Sequence, residues 1–199
     1  MTQIKLTVIA SGLVCVEWIE FSLYMYLGVL LSKIFFPDST GYKGLLLTYM
    51  IFALSYLSRP LGGFVFGLFS DHAGRKKPLI FSSLLMGLAT IAIGCLPGYR
   101  MIGYLSPILL LLLRLVQSFS VSGEFNNSSI FLIEHYPHSR ILSGSWIGMA
   151  ASGGMFLGGF ITYLVSGSHY EDSWRVAYIV IGFLSLLLVT LSFSLMSRR

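Results

Sequence analysis

The sequence predicts an all-α integral membrane protein, a bundle of six transmembrane helices. Three observations carry this reading. Of the 199 residues, 55% are hydrophobic and only 11% are charged, against about 25% charged in soluble domains. Mean hydropathy is +0.81. The apolar residues fall into six runs of bilayer-crossing length, about 20 residues each, separated by short polar breaks. Strands of a membrane barrel are about ten residues long and alternate strictly. These runs are longer and uniformly apolar.

The runs follow in order over a single domain spanning 1–199. The first, about 8–31, follows one early base, Lys5. It is too long for a signal-peptide core, carries Glu17 and Glu20, and shows no small-residue cleavage site, so it reads as a retained helix. Pro37, Asp38 and Ser39 close it. The second, about 45–69, contains Arg59-Pro60, where proline frees a backbone carbonyl and permits a kink. A polar stretch at 70–77 separates it from the third, about 78–96, which Pro97 and Gly98 end. The fourth, about 105–131, stops before His135, Pro137 and His138. The fifth, about 142–165, is rich in glycine and stops before Gly167 and Ser168. The sixth covers about 174–196. Gly63/Gly67, Gly144/Gly148 and Gly154/Gly158 have the four-residue spacing that lets helix backbones approach. They are expected to pack helices, with a hinge as the alternative.

Basic residues set the orientation. Lys5, Arg75, Lys76, Lys77, Arg140, Arg198 and Arg199 fall on one side of the bilayer. Lys33, Lys43, Arg100 and Arg175 fall on the other. This excess predicts a multi-pass protein of the plasma (inner) membrane with both termini in the cytoplasm. It also explains the net charge of +5 by topology, so nucleic acid is not an expected partner. Cys15 and Cys95 lie in apolar stretches without metal-type spacing and read as buried, inert thiols. No Ser/His pair, HExxH or metal-spaced histidine cluster occurs within the runs. His135 and His138 fall in an interfacial loop. The sequence therefore predicts neither an enzyme, a metal site nor a cofactor.

The informative residues are charges inside apolar runs: Glu17, Glu20, Arg59, Arg114 and Glu124. A charge at the centre of a bilayer helix costs roughly 2.5–3.5 kcal/mol on insertion scales. Such a residue persists where it faces a partner or a wet cavity, which makes it a functional candidate. Arg114, Gln117, Val121, Glu124 and Ser128 share one face of the fourth helix, and Glu17, Glu20 and Tyr24 share one face of the first. Two carboxylates one turn apart in low dielectric disfavour each other's ionisation, a property suited to a proton carrier. The alternative is a structural network, with a carboxylate simply paired to Arg114 or Arg59. Arg59 serves substrate or snorkels and pairs structurally; both readings stand. Glu124 lies toward the cytoplasmic end, where the structural role is the stronger.

The loop Gly67-Leu-Phe-Ser-Asp71-His-Ala-Gly74-Arg75-Lys76 resembles the signature between helices two and three of the major facilitator superfamily, with His72 where a base is usual. The resemblance implies a tight turn at Gly74 and a cytoplasmic latch of Asp71 and Arg75 with Glu134, near Arg140. Topology-fixing charge is the plainer reading. Glu17-Trp18-Ile-Glu20-Phe21-Ser-Leu-Tyr24, Ser58-Arg59-Pro60-Leu61-Gly62-Gly63, Arg114-Leu-Val-Gln117-Ser-Phe-Ser-Val-Ser122-Gly123-Glu124 and Trp174-Arg175 are similar to motifs of its metabolite:proton symporter family, which includes proline/betaine carriers. Glu20 stands where aspartate is usual, and Ser118 and Ser122 replace glycines.

The resemblance implies the N-terminal half of a major facilitator fold. It implies proton-coupled symport of a small organic solute by alternating access, with Glu17, Glu20, Arg114, Gln117 and Glu124 lining the path. That fold has two six-helix halves with sites between them, so a second half is expected as a partner beside the lipid bilayer. The other reading is a non-transporting remnant or the partner subunit of a split carrier. A zwitterion such as proline or betaine and a dicarboxylate both suit an arginine with carboxylates, so the solute stays open.

Overall fold

The computed structural model describes residues 2–39, 42–74, 76–135, 140–167 and 172–196. For 2–6, 76, 124–127, 129–135, 140, 143 and 193–196 it describes the backbone alone. Among the described residues every element is helical: α1 (Thr2–Tyr26), α2 (Gly28–Phe35), α3 (Lys43–Ser55), α4 (Ser58–Ala73), α5 (Lys76–Cys95), α6 (Tyr99–Ile102), α7 (Leu105–His135), α8 (Arg140–Gly167) and α9 (Ser173–Met196). Six segments are long and apolar enough to cross a bilayer. α1 and α2 form a nearly unbroken rod, because Leu27 N–H still reaches Leu23 O and Leu31 N–H reaches Leu27 O, both at 2.9 Å.

The second crossing is different. Pro60 offers no N–H to the Tyr56 carbonyl, and a proline ring crowds that carbonyl. Arg59 N–H takes the Tyr56 carbonyl instead at 3.0 Å. Tyr56 and Leu57 bond three residues back, to Ala53 and Leu54, at 3.1 Å each. The helix tightens there and splits into α3 and α4. Tyr56 and Arg59 sit at the joint.

α1 is the hub, packing along α8 and α9 and touching α7; α5 lies against α9 and α7, and α4 against α7. Leu23, Tyr24, Leu27, Leu31 and Phe35 of the α1–α2 rod form one buried core with Ile93, Leu110, Trp174 and Tyr178. Phe35 meets Trp174 edge-on at 6.0 Å. The outside is apolar too: Leu61 and Phe64 of α4, Phe156 and Phe160 of α8, and Phe183 and Leu187 of α9 are all exposed. Bands of this extent are untenable in water and fit lipid, as expected of a multi-pass membrane protein.

The three glycine pairs part company. A Cβ at Gly154 would collide with Cys15 and Trp18 of α1, and one at Gly158 with Ser22 and Ile19. Gly63, Gly67, Gly144 and Gly148 meet no described neighbour within 4 Å. The packing expectation is thus corrected for those two pairs. Spacing defines a helix face but not which face meets a neighbour. On α4 the contact falls one residue earlier, where Gly62 lies against the Phe119 backbone of α7. Cys95 is likewise exposed rather than buried, and Cys15 is only partly buried, because Cys95 ends α5 at the rim.

At that rim Arg175 ties α9 to α5. Its Nη1 donates to Leu96 O at 2.6 Å and Gly94 O at 3.3 Å, carbonyls that a helix end leaves without partners. Its Nε donates to Asp172 at 2.8 Å, and the guanidinium rests 4.7 Å from the Trp174 ring centroid. Asp172 is mostly exposed, so its ion pair contributes little. Arg175→Ala is expected to cost about 1.5–3 kcal/mol of unfolding free energy and Asp172→Ala under about 1 kcal/mol, measured by denaturant titration in detergent. In the same assay Gly158→Val is expected to cost about 1–3 kcal/mol. Gly148→Ala is expected to stay within about 0.5 kcal/mol of wild type.

Candidate functional site

α1, α3, α4, α5 and α7 enclose a small, partly open cavity of about 30 Å³. Its walls include Glu17, Glu20, Arg59, Arg114, Gln117 and Ser118, with Phe21, Phe52 and Tyr56 as the aromatic side. Two carboxylates, two guanidiniums and an amide from three separate crossings thus meet in one place. Glu17, Glu20, Arg114 and Gln117 are all buried.

Arg114 is held by aromatic faces and one amide. Its guanidinium carbon sits 3.9 Å from the Tyr24 ring centroid and 5.3 Å from that of Phe52. These rings are themselves stacked at 5.6 Å with an interplanar angle of 16°. Tyr24 is locked in turn, its hydroxyl donating to Thr48 O at 3.0 Å. Desolvated cation–π contacts reach about 2 kcal/mol. Arg114 Nη1 donates to Gln117 Oε1 at 2.8 Å, and Gln117 Nε2 donates to Thr90 Oγ1 at 3.1 Å. The Glu20 carboxyl lies near enough to feel both Arg114 and the Thr90 hydroxyl. Arg59 repeats the theme, 4.0 Å from the Tyr56 ring centroid.

Several of these groups retain bonding capacity. Glu20 Oε1, Arg59 Nε, Arg114 Nε and Ser118 Oγ are buried with no hydrogen-bond partner among the described residues. Native interiors pair nearly all buried polar atoms, so such atoms call for an explanation. Here they border one cavity, where a water or a proton could meet them.

Serine shapes the α4–α7 seam. Ser122 Oγ donates to Arg59 O at 2.8 Å, and Ser58 Oγ donates to Leu115 O at 2.9 Å. Ser122, one of the two departures from glycine, therefore supplies a bond between crossings. Ser118, the other, supplies a polar atom to the cavity wall.

At the basic end, Gly74 closes α4 with φ +77°, a conformation that suits glycine because it lacks a Cβ. Asp71 is exposed on the last turn of α4, and Gly67 is exposed a turn earlier. His72 Nδ1 lies 2.8 Å from Leu68 O in its own helix. The side chains of Arg75, Lys76, Glu124, Glu134 and Arg140 lie outside the described residues.

Sequence reasoning did not single out Thr90, Phe52, Tyr56 or Tyr178. Phe52 and Tyr56 stand four apart, so an aromatic stripe at helical spacing was a usable signal. Thr90 had none: a lone threonine in an apolar run ordinarily bonds back into its own helix, and Thr90 does so too, to Met86 O at 2.8 Å.

Fold and site together define a multi-pass membrane protein built around a buried, charged cavity. The chain belongs to the Major Facilitator Superfamily, whose family model matches residues 9–199. It is 35% identical over 170 residues to the proline/betaine transporter of Salmonella typhimurium, covering 82% of this chain and 34% of that protein. It is 42% identical over 119 residues to the alpha-ketoglutarate permease of Escherichia coli, covering 60% of this chain and 28% of that protein. The chain thus spans about a third of the length of these curated relatives. Among solved structures, the proton:xylose symporter XylE, bound to 6-bromo-6-deoxy-D-glucose, matches with a TM-score of 0.83 at 16% identity. That match covers 96% of this chain and 44% of XylE. The fold is therefore the six-helix N-terminal half of a major facilitator bundle.

Proposed function

We propose that the chain is the N-terminal half of a secondary active transporter that couples proton entry to uptake of a small organic solute. A second six-helix half, in the same polypeptide or a separate one, completes the solute path. The observation that carries this reading is the single cavity in which Glu17, Glu20, Arg59, Arg114 and Gln117 converge. The names of the relatives, proline/betaine transporter and alpha-ketoglutarate permease, support a small zwitterion or organic acid as solute. The solved proton:xylose symporter is a precedent for this fold only.

In this reading the guanidiniums of Arg114 and Arg59, each seated on an aromatic face, hold the solute's carboxylate. Glu20 takes the proton. Its carboxyl is buried beside Arg114 with one oxygen unpartnered, so protonation changes the charge of the cavity at no distance from the solute. A solute and a proton that bind one rocking state better than the other shift its population. Glu17, Tyr24, Gln117 and Glu124 complete the path. Gly67, Asp71, Gly74, Arg75, Lys76, Glu134 and Arg140 form the cytoplasmic gate. The basic cluster at 75–77 supports both termini lying on the cytoplasmic side of a plasma (inner) membrane. The chain is a carrier, not an enzyme.

The test is uptake of labelled proline, glycine betaine and 2-oxoglutarate by the complete carrier in proteoliposomes, with and without an inward proton gradient. One solute is expected to accumulate only with the gradient. Glu20→Gln and Arg114→Ala are each expected to reduce that uptake at least about 100-fold, an effect of about 2.7 kcal/mol, while both variants still insert in the membrane. Wild-type uptake in both variants refutes the site. Gradient-independent accumulation refutes proton coupling.

A further inference from the structure

Ser118 behaves unlike its neighbours. A serine or threonine inside an apolar helix ordinarily bonds back to a carbonyl three or four residues earlier. Ser83 does so to Leu79 O at 2.9 Å, Ser120 to Val116 O at 2.9 Å and Thr90 to Met86 O at 2.8 Å. Ser118 does not. It is only 6% exposed, and its Oγ has no hydrogen-bond partner among the described residues. A buried hydroxyl that forgoes the bond its own helix offers calls for a partner elsewhere.

Its place in the fold names that partner. Ser118 lines the cavity with Glu20, Arg59 and Arg114, and Glu20 Oε1, Arg59 Nε and Arg114 Nε are buried in the same condition. Arginine nitrogens only donate, an ionised carboxylate only accepts, and a serine hydroxyl does either. Two donors, one acceptor and one group of either kind complement water, which has two protons and two lone pairs. The space agrees. A buried water needs roughly 10–15 Å³, and the cavity holds about 30 Å³, which is room for about two waters. That is far below the roughly 300 Å³ at which small-molecule pockets begin. Ions suit the walls less well, because a cation meets the guanidiniums of Arg59 and Arg114 and an anion meets the carboxylates of Glu17 and Glu20.

We propose that Ser118 anchors an internal water site that joins the Glu20 carboxyl of α1 to the Arg59 and Arg114 guanidiniums of α4 and α7. The waters accept from the two Nε–H groups, donate to Glu20 Oε1 and bond Ser118 Oγ. Glycine, usual at this place in the motif that the sequence resembles, has no hydroxyl, so the anchor is this chain's own. The site rests on the carrier reading for its use and deepens it. The cavity is partly open, so Glu20 exchanges its proton with solvent without leaving its place. A water gives a proton to the carboxylate and regains one from the next water, so no charge stays on the water.

The experiment is X-ray radiolysis footprinting of the complete carrier in lipid nanodiscs, read by mass spectrometry. Radiolysis of an internal water makes a hydroxyl radical in place, and a thioether beside it is oxidised. Met86 lines the cavity and is only 3% exposed, so its oxidation reports water inside the bundle. Trp174, at 1% exposure and outside the cavity lining, is the dry control and is expected to stay unmodified. Ser118→Ala is expected to slow Met86 oxidation about threefold or more, the scale of one lost hydrogen bond. Ser118→Thr, which keeps the hydroxyl, is expected to match wild type. Ser118→Gly carries the same expectation as Ser118→Ala if the alanine variant does not fold. Met86 as unreactive as Trp174 in the wild type overturns the proposal, as does Met86 oxidation that is equal with and without the Ser118 hydroxyl. Neither result touches the carrier reading, which is judged by uptake. Ser118-dependent oxidation in a protein that moves no solute overturns the carrier reading and leaves the water site standing.

Discussion

Arg114 carries a permanent charge into the apolar interior of a bilayer-crossing helix, and much of the bundle is arranged around tolerating it. A guanidinium there cannot shed its proton and cannot reach bulk water, so its surroundings must supply what solvation would have. They do so with two stacked ring faces, Tyr24 and Phe52, one amide oxygen and a carboxylate close enough to act on it. Those groups come from α1, α3 and α7. The charge thereby fixes the relative placement of three crossings, because displacing any of them strips part of its shell. A charge on an apolar run is costly in isolation and orienting in company.

The approach of helices that makes such a shell possible depends on small residues at particular contacts. Gly154 and Gly158 let α8 lie against the α1 backbone, and Gly62 lets α4 meet α7 at Phe119. Bulk at those points would push α1 away from α8 and α4 away from α7. Proline acts in the same direction. Its missing N–H at Pro60 splits the second crossing at Tyr56 and Leu57, which leaves Tyr56 and Arg59 side by side at a joint rather than along one smooth face. Ser122 and Ser58 then pin that joint to α7. The seam between these two crossings is thus held by hydroxyls donating to carbonyls, which can exchange partners at modest cost.

The sequence by itself determined the membrane class and the helical periodicity, because a bilayer leaves few ways to satisfy a backbone and about 20 apolar residues are needed to cross it. It also marked Glu17, Glu20, Arg59, Arg114 and Gln117, since polar residues stand out against an apolar run. Tertiary structure alone decided who meets whom. Of the three glycine pairs that their spacing marked for packing, only Gly154 and Gly158 meet a neighbour among the described residues, because spacing specifies a face and not its partner. Thr90 was invisible for the same reason: its bond back to Met86 is what any threonine in a helix makes, and only the packing of α5 against α7 brings Gln117 to its other side. Local chemistry is written in the chain one residue at a time, whereas a cavity exists only once separate helices have closed around it.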